Sequence, residues 1–416
     1  MAQFKPYLKY KDSGVEWLGE VPEHWIVKKL GTNFINRKEK VSDKDYMPLS
    51  VTKRGVVPQL DSAAKTDYGD NRKKVLVGDY VINSRSDRKG SSGVSTLDGS
   101  VSLINIVLKP LKSVVPNFSH YLFRSYLFQE EFYKYGHGIV ADLWTTNYED
   151  MRNIYLAIPN NKEQTQIANY LDKETAKIDT LIAKQEKLIE LLEEQRKSII
   201  SHAVTKGLDP NAPMKNSGVE WLGEVPEHWE ERKIKFVSKL INKKTSNKIN
   251  PVALENIEGW TSKFIETELG YEGDAVCFKE NDILFGKLRP YLAKVFLAHN
   301  NGEAVGDIYV LRPNSLIVPE FLKFLMISNK FIDYVNSSTN GTKMPRANWD
   351  FIGSIIFFLP QIDEQLSIVN EIFLKNEQIE ITIIKQKRLI EKLKEYRASV
   401  ISHAVTGKID VRELVA

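Results

Sequence analysis

The chain is predicted to be an α+β protein: two globular lobes joined by two long antiparallel helices that form a coiled coil, the whole built on an internal duplication with pseudo-two-fold character. Three observations predict this. Residues 13–25, Ser-Gly-Val-Glu-Trp-Leu-Gly-Glu-Val-Pro-Glu-His-Trp, recur without change at 217–229. Residues 196–205, Arg-Lys-Ser-Ile-Ile-Ser-His-Ala-Val-Thr, return at 397–406 as Arg-Ala-Ser-Val-Ile-Ser-His-Ala-Val-Thr. Each of those phrases closes a long run whose apolar residues fall seven apart. The repeat period is far longer than the roughly 20–50 residues of a solenoid, so the duplicated object is a domain-sized unit.

The bulk numbers fit that reading. A chain of 416 residues has room for two or three domains with their own cores. Hydrophobic content of 42% and charged content of 27% are ordinary globular values and exclude a disordered or fibrous chain. No apolar run approaches the roughly 20 residues of a membrane span, and no signal-peptide core opens the chain. The single cysteine, Cys277, excludes an internal disulfide and suits a cytoplasmic setting with no membrane partner. A net charge of +4 permits nucleic-acid binding if the positive charge is local.

The repeated phrases divide the chain into four segments. Residues 1–159 hold the N-terminal segment and first lobe, and 160–216 the central helix. Residues 217–360 hold the repeated motif and second lobe, and 361–416 the distal helix. Between the repeated phrases, 26–158 and 230–359 share only a skeleton. Residues 77–82 align loosely with 280–285, 146–151 with 347–352, and Ile158-Pro159 with Leu359-Pro360. Short β-branched and aromatic runs at 75–83, 101–108, 307–311 and 355–359 read as half-buried strands. Residues 121–133 and 320–335 carry apolar side chains at helical spacing, so each is expected to form one helix on its sheet.

The helical segments are clearer. From 161 to 204 there is no Gly or Pro, and Asn161 with Gln164 forms a candidate capping box. Ile178, Gln185, Leu192 and Ile199 lie seven apart, with Leu181, Leu188, Gln195 and His202 filling the alternate position. Ile372, Ile379, Gln386, Leu393 and Val400 repeat the first series; Thr382, Leu389, Tyr396 and His403 repeat the second. Gly207 and Gly407 stop the helices. Gln185 and Gln386 occupy matching seam positions, either as a register device or as half-solvated edge residues.

Catalytic motifs are missing. No Gly-x-Gly-x-x-Gly or Gly-x-x-x-x-Gly-Lys-Ser/Thr loop is present, and there is no Pro-Pro dipeptide for an amino-methyltransferase motif. The seven histidines form no His-x-x-x-His or His-x-His pair, and one cysteine cannot build a thiolate zinc site. No catalytic residue, cofactor site or metal site is therefore assigned. His24, His228, His202 and His403 recur in the repeated phrases, where packing or partner contact explains them.

Binding chemistry sits in the divergent inserts. Lys53-Arg54 and the Gly- and Ser-rich stretch around Arg85, Arg88 and Lys89 are candidate DNA contacts in the first lobe. Lys287, Arg289, Lys343 and Arg346 are their counterparts in the second, with Asn348 a candidate base-edge reader. Trp144 and Trp260 are more readily core residues than base contacts. Trp17, Trp25, Trp221 and Trp229 are expected to wedge each lobe onto the helices, the alternative being a docking surface for partner subunits.

The repeated 13–25 motif, the Ser-His-Ala-Val-Thr helix ends and the frame–insert order together resemble the specificity subunit of type I restriction-modification enzymes. The resemblance spans essentially the whole chain. It implies two target recognition domains, each reading one half of an asymmetric bipartite double-stranded DNA target, and a coiled coil that sets their spacing. It also implies a chain without catalysis, which recruits two modification subunits and two restriction subunits. S-adenosylmethionine for adenine-N6 methylation, ATP and Mg would then belong to those partners. The alternative is a coiled-coil scaffold that joins protein partners without reading DNA.

Overall fold

The computed structural model describes residues 5–61, 69–138, 144–246, 249–267, 274–339 and 344–415. The chain forms two compact units, Met1–Lys184 with Arg388–Ala416, and Gln185–Lys387. We refer to them as the first and second unit. The division falls inside the two long helices, Asn161–Lys206 and Ile362–Val405. Each unit therefore holds one lobe and a segment of each helix, whereas the repeated phrases mark the helix ends.

The lobes share one topology despite their divergent letters. In the first unit a four-stranded antiparallel sheet runs Ser92–Val94, Tyr80–Asn83, Asn105–Pro110, Phe34–Asn36. In the second the same order is Val295–Leu297, Ile283–Gly286, Ile308–Pro313, Ser238–Ile241. A smaller sheet follows suit. Gly99–Val101, Arg72–Val75 and Lys40–Val41 correspond to Gly302–Val305, Ala275–Phe278 and Lys244–Thr245, with Pro251–Val252 added in parallel in the second unit.

The strand-like run at 75–83 is two strands rather than one. Gly78 at φ 89° turns the chain between them. Asp79, 2% exposed, caps that turn by accepting Leu76 N–H at 2.9 Å. A buried carboxylate needs a partner, and Arg37 supplies it at 2.7 and 3.1 Å. Asp282 occupies the same place in the second unit and is held by Arg312 at 2.8 and 2.7 Å.

Each helix expected over 121–133 and 320–335 is also broken in two. Pro116–Arg124 gives way to Tyr126–Lys134 at Ser125, and Pro319–Ile327 to Asn329–Ser337 at Ser328. Both serines take extended backbone and donate Oγ–H to a carbonyl three residues back, at 2.7 Å. A serine that bonds its local backbone competes with helix continuation. A one-residue break leaves the apolar spacing intact, so periodicity does not reveal it.

Each insert leaves and returns at a two-stranded antiparallel ladder: Ile26–Lys29 with Tyr155–Ile158, and Glu230–Lys233 with Ile356–Leu359. The repeated motif locks beside that ladder. Trp25 is fully buried and donates Nε1–H to Glu163 Oε1 at 3.0 Å, while His24 Nε2 lies 2.8 Å from Glu163 Oε2. Trp229 and His228 repeat both contacts on Glu364, at 3.0 and 2.8 Å. Trp17 and Trp221 pack edge-on against Phe128 and Phe331. Trp25 and Trp229 thus join the motif to the long helices, whereas Trp17 and Trp221 pack against the lobe.

The capping box is placed differently from expectation. Asn160, not Asn161, caps the helix, its Oδ1 accepting Glu163 N–H at 3.0 Å. Gln164, fully buried, instead stitches the helix to the lobe: its Oε1 accepts Val115 N–H and its Nε2 donates to Ser113 and Pro159 carbonyls, each at 2.8 Å. Gln365 makes the matching bonds to Val318, Leu316 and Pro360.

In each unit the two helical segments face each other and share the lobe's core. Ile167, Leu171, Val400 and Ala404 join Trp25, Phe34 and Phe123 in the first unit; Ile200, Val204, Ile368 and Ile372 join Trp229, Phe285 and Phe321 in the second. The first seven-residue series lies on this seam: Ile178, Ile372, Ile379 and Val400 are buried, and Gln185, Leu192, Ile199, Gln386 and Leu393 half-buried. The alternate series is displaced by one residue. Leu181, Leu188, Gln195, His202, Leu389 and His403 are exposed, and Thr382 and Tyr396 only half-buried. The buried alternates include Arg196, Ala203, Ile383, Ile390 and Ala404. Positions three and four residues on share a helix face, and the pairs Leu181-Ile182 and Leu188-Ile189 fit either choice. The seam position at Arg196 is polar, which hides it from an apolar count.

Candidate nucleic-acid interface

In the first unit the hairpin Leu49–Thr52 and Gly55–Pro58 projects Lys53 and Arg54 from its tip. Thr52 Oγ1 fixes that tip by accepting Arg54 N–H and donating to the Gly55 carbonyl, both at 3.0 Å. Arg85 follows the strand Tyr80–Asn83, its N–H held by Asn83 Oδ1 at 3.1 Å. Lys53, Arg85 and Arg88 meet on a cavity of about 700 Å³ whose walls also carry Asn83, Ser102 and Asn105. Asp87 sits between the guanidinium groups, 3.0 Å from Arg85 Nε and 3.5 Å from Arg88 Nε. Lys89 turns away to Glu130 and lies 5.9 Å from the Tyr126 and Tyr133 ring centres. The wall therefore offers fixed donors and acceptors of both kinds, as base-edge recognition requires.

The second unit builds its site at the corresponding place. Arg289 N–H donates to Pro345 O and Ala347 N–H to Lys287 O, both at 2.8 Å, which clamps 287–289 against 345–347. Ser86 N–H to Trp144 O and Thr146 N–H to Ser84 O form the same clamp in the first unit, at 2.9 and 3.0 Å. Asp307 lies between two cations, 3.7 Å from Lys287 Nζ and 2.9 Å from Arg346 Nη2. Arg289 is exposed and has no carboxylate partner among the described residues. Lys343 lies outside the described residues. Asn348 Oδ1 caps the helix Trp349–Ser354 by accepting Asp350 N–H at 2.8 Å, as Asn147 does for Tyr148–Met151. Its oxygen is therefore already engaged, which leaves any base contact to its amide nitrogen.

Trp144 departs from the core preference. It is 38% exposed, and its carbonyl belongs to the clamp beside Arg85. Trp260 is half-buried against the second unit's core, with Lys197 Nζ 4.3 Å from its ring centre. Among the described residues, the five non-glycine residues with positive φ all lie in the second unit: Trp260, Ser262, Asn281, Arg289 and Ala293. Trp260 N–H donates to Ala293 O at 3.1 Å, so this strained backbone is tied together beside the Arg289 loop.

Residues 226–395 match the family described as type I restriction modification DNA specificity domain. The second half of the chain is thus similar to this specificity family. Its relatives include the type I restriction enzyme EcoDI specificity subunit of Escherichia coli, 27% identical over 287 residues, which are 62% of this chain and 63% of that protein. The MjaVIII specificity subunit of Methanocaldococcus jannaschii is 25% identical over 95% of both chains. Solved specificity subunits share the fold. The HsdS subunit from Thermoanaerobacter tengcongensis superposes with a TM-score of 0.56 at 14% identity, over 94% of this chain and 98% of that one. A chain from work on assembly and conformational transition of the type I R-M system gives 0.62 at 14% identity, over 92% and 98%.

Sequence reasoning missed two cations of the first unit, Arg124 and Arg397, that stand near Lys53 and Arg54. Arg397 carried a signal, since its counterpart Arg196 recurs at the same place in the repeated phrase. Arg124 carried none.

Proposed function

We propose that this chain is a member of the specificity family and the non-catalytic DNA reader of a type I restriction-modification complex. Each unit reads one half of an asymmetric bipartite target. The long helices pair as an antiparallel coiled coil about a pseudo-two-fold axis and set the spacing between halves. The chain recruits two modification subunits that methylate adenine N6 and two ATP-driven restriction subunits, in the cytoplasm. S-adenosylmethionine, ATP and Mg belong to those partners.

One observation carries the reading. A single strand order and a single backbone clamp recur in both units, yet the side chains they display differ. The first unit displays Arg85, Asp87 and Arg88; the second displays Lys287, Arg289 and Arg346. A fixed frame with altered donors is what two different half-sites require. A guanidinium discriminates guanine through O6 and N7, and each good bidentate contact contributes about 1–3 kcal/mol of discrimination. Phosphate contacts supply the salt-sensitive affinity. The target adenine leaves the stack to reach the partner's active site.

Arg85→Ala and Arg289→Ala test this in the chain assembled with its modification subunits. Each should weaken binding and relax specificity in one half of the target only. A protein scaffold that never reads DNA predicts no change in either variant, and no salt-dependent DNA binding.

A further inference from the structure

We propose that a second cavity in the first unit is a phosphate clamp for the DNA backbone, with Arg124 and Arg397 as its inner cations. The proposal rests on the DNA-reading function and names a contact that function leaves open. The cavity has a volume of about 800 Å³ and lies between the lobe and the second long helix. Lys53, Arg54, Lys89, Arg124 and Arg397 line it, with His120 and Tyr121, and no carboxylate is part of the lining. Asp179 offsets Arg397 and Glu130 offsets Lys89 from outside. Among the described residues Lys53, Arg54 and Arg124 have no such partner. Arg124 is held in place by donating Nη2–H to the Lys53 carbonyl, which fixes the hairpin tip over the cavity.

The electrostatics of this place favour an anion. Burial, with the Arg397 charge behind it, pulls the Arg124 guanidinium below its usual range. Burial followed by Arg124 pushes His120 down to about 4, and its Nδ1 accepts Val94 N–H at 3.3 Å, so the ring is neutral near pH 7. Lys53, Arg54 and Arg124, crowded without an acidic partner among the described residues, repel one another, and a phosphodiester between them relieves that repulsion.

The equivalent place in the second unit shows that the frame does not demand these cations. Arg196 and Ile200 stand where Arg397 and Ile401 do, but Ile327 replaces Arg124 and Phe324 replaces Tyr121. There the space shrinks to about 250 Å³, and Trp260, Phe373 and Glu377 close around it. Lys263 is bonded to Glu380. The fold thus tolerates a version whose lining cations, Arg196 and Lys263, are both paired with Glu380, so the unpaired charge in the first unit answers to a ligand rather than to packing.

The test uses the full chain in complex with its modification subunits, titrated onto a duplex carrying the methylated site and onto an unrelated duplex. Salt is varied over roughly 0.05–0.2 M. Arg124→Ala and Arg54→Ala should each weaken both duplexes by the same factor, about five-fold at 0.15 M salt, and reduce the salt slope by about 0.9. Arg54 is exposed on a hairpin tip, so its variant keeps the test valid if Arg124→Ala misfolds. Arg124→Lys should restore the slope. Unchanged slopes in folded variants, or losses confined to the cognate duplex, overturn the clamp. Inorganic phosphate that raises the melting temperature only when Arg124 is present, with unaltered DNA slopes, assigns the site to free phosphate and overturns the backbone contact. If Arg85→Ala weakens the cognate duplex while Arg54 and Arg124 variants are silent, the clamp alone falls. If no duplex is bound at all, the reading function falls with it.

Discussion

Arg397 grips both carboxylate oxygens of Asp179 across the helix pair, through Nε at 2.8 Å and Nη2 at 3.2 Å. Arg196 and Glu380 make the same cross-helix pair in the second unit, at 2.7 Å. Both partners recur 201 residues apart, so the duplication preserved an ion pair along with a phrase. Their settings differ. The Arg196 side chain is 10% exposed, whereas Arg397 and Asp179 are 38% and 55% exposed.

That difference sets the first prediction. Arg196→Ala should lower stability by about 3 kcal/mol, because it strips a largely buried pair and leaves Glu380 with Lys263 alone. Arg397→Ala should cost no more than about 1 kcal/mol. Chemical denaturation monitored by hydrogen exchange in each helix segment measures both; equal losses would refute the burial argument.

The same pair predicts an acid response. The Lys263 hydrogen bond, then the Arg196 bond, hold the Glu380 carboxyl below the usual range. A depressed carboxylate contributes its full stabilisation above the unfolded value and loses it as pH falls through the folded one. Glu380→Gln should therefore flatten the acid limb of the second unit's melting curve and leave the first unit's unchanged.

Glu163 and Glu364 should prove unequal despite identical contacts. The Glu163 side chain is 3% exposed and that of Glu364 31%. Glu163→Ala leaves the buried Trp25 N–H without an acceptor, at a cost of about 2–3 kcal/mol; Glu364→Ala should cost about 1 kcal/mol, since water can enter the half-open place of its carboxylate beside the exposed His228. Melting temperatures of the two variants decide this.

His120 gives a prediction in the weakly acidic range. Its folded value, pushed down to about 4, lies below the ordinary histidine value. Between the two, the unfolded chain binds a proton that the folded chain refuses, so stability falls as pH drops from about 6.5 toward 4. His120→Gln should remove that fall. A melting temperature that declines equally in both proteins would contradict the buried, neutral ring.

The frame was legible because it is written in repeated letters and in long runs without Gly or Pro. Gly207 and Gly407, at φ 76° and 74°, end the helices where the sequence placed their ends. The lobes were legible only as strands and helices. Their common strand order was hidden, since a half-buried strand needs alternation rather than particular letters. Lys53, Arg85 and Arg88 could be picked out because cations beside Gly and Ser turns are visible locally. Arg124 could not: it sits on a helix, and its role arises only when the hairpin tip folds over it. The capping role of Asn348 was hidden for another reason, because a helix cap and a base reader want the same side chain.

The central claim is that this chain alone chooses a two-part DNA sequence. Coexpression with the modification subunit in a host lacking adenine methylation, followed by genome-wide mapping of N6-methyladenine, tests it most directly. The account predicts methylation at one asymmetric motif of two short halves separated by a fixed spacer, with Arg85→Ala relaxing one half and Arg289→Ala the other. Methylation at a continuous motif, or a motif unaltered by both substitutions, would contradict it.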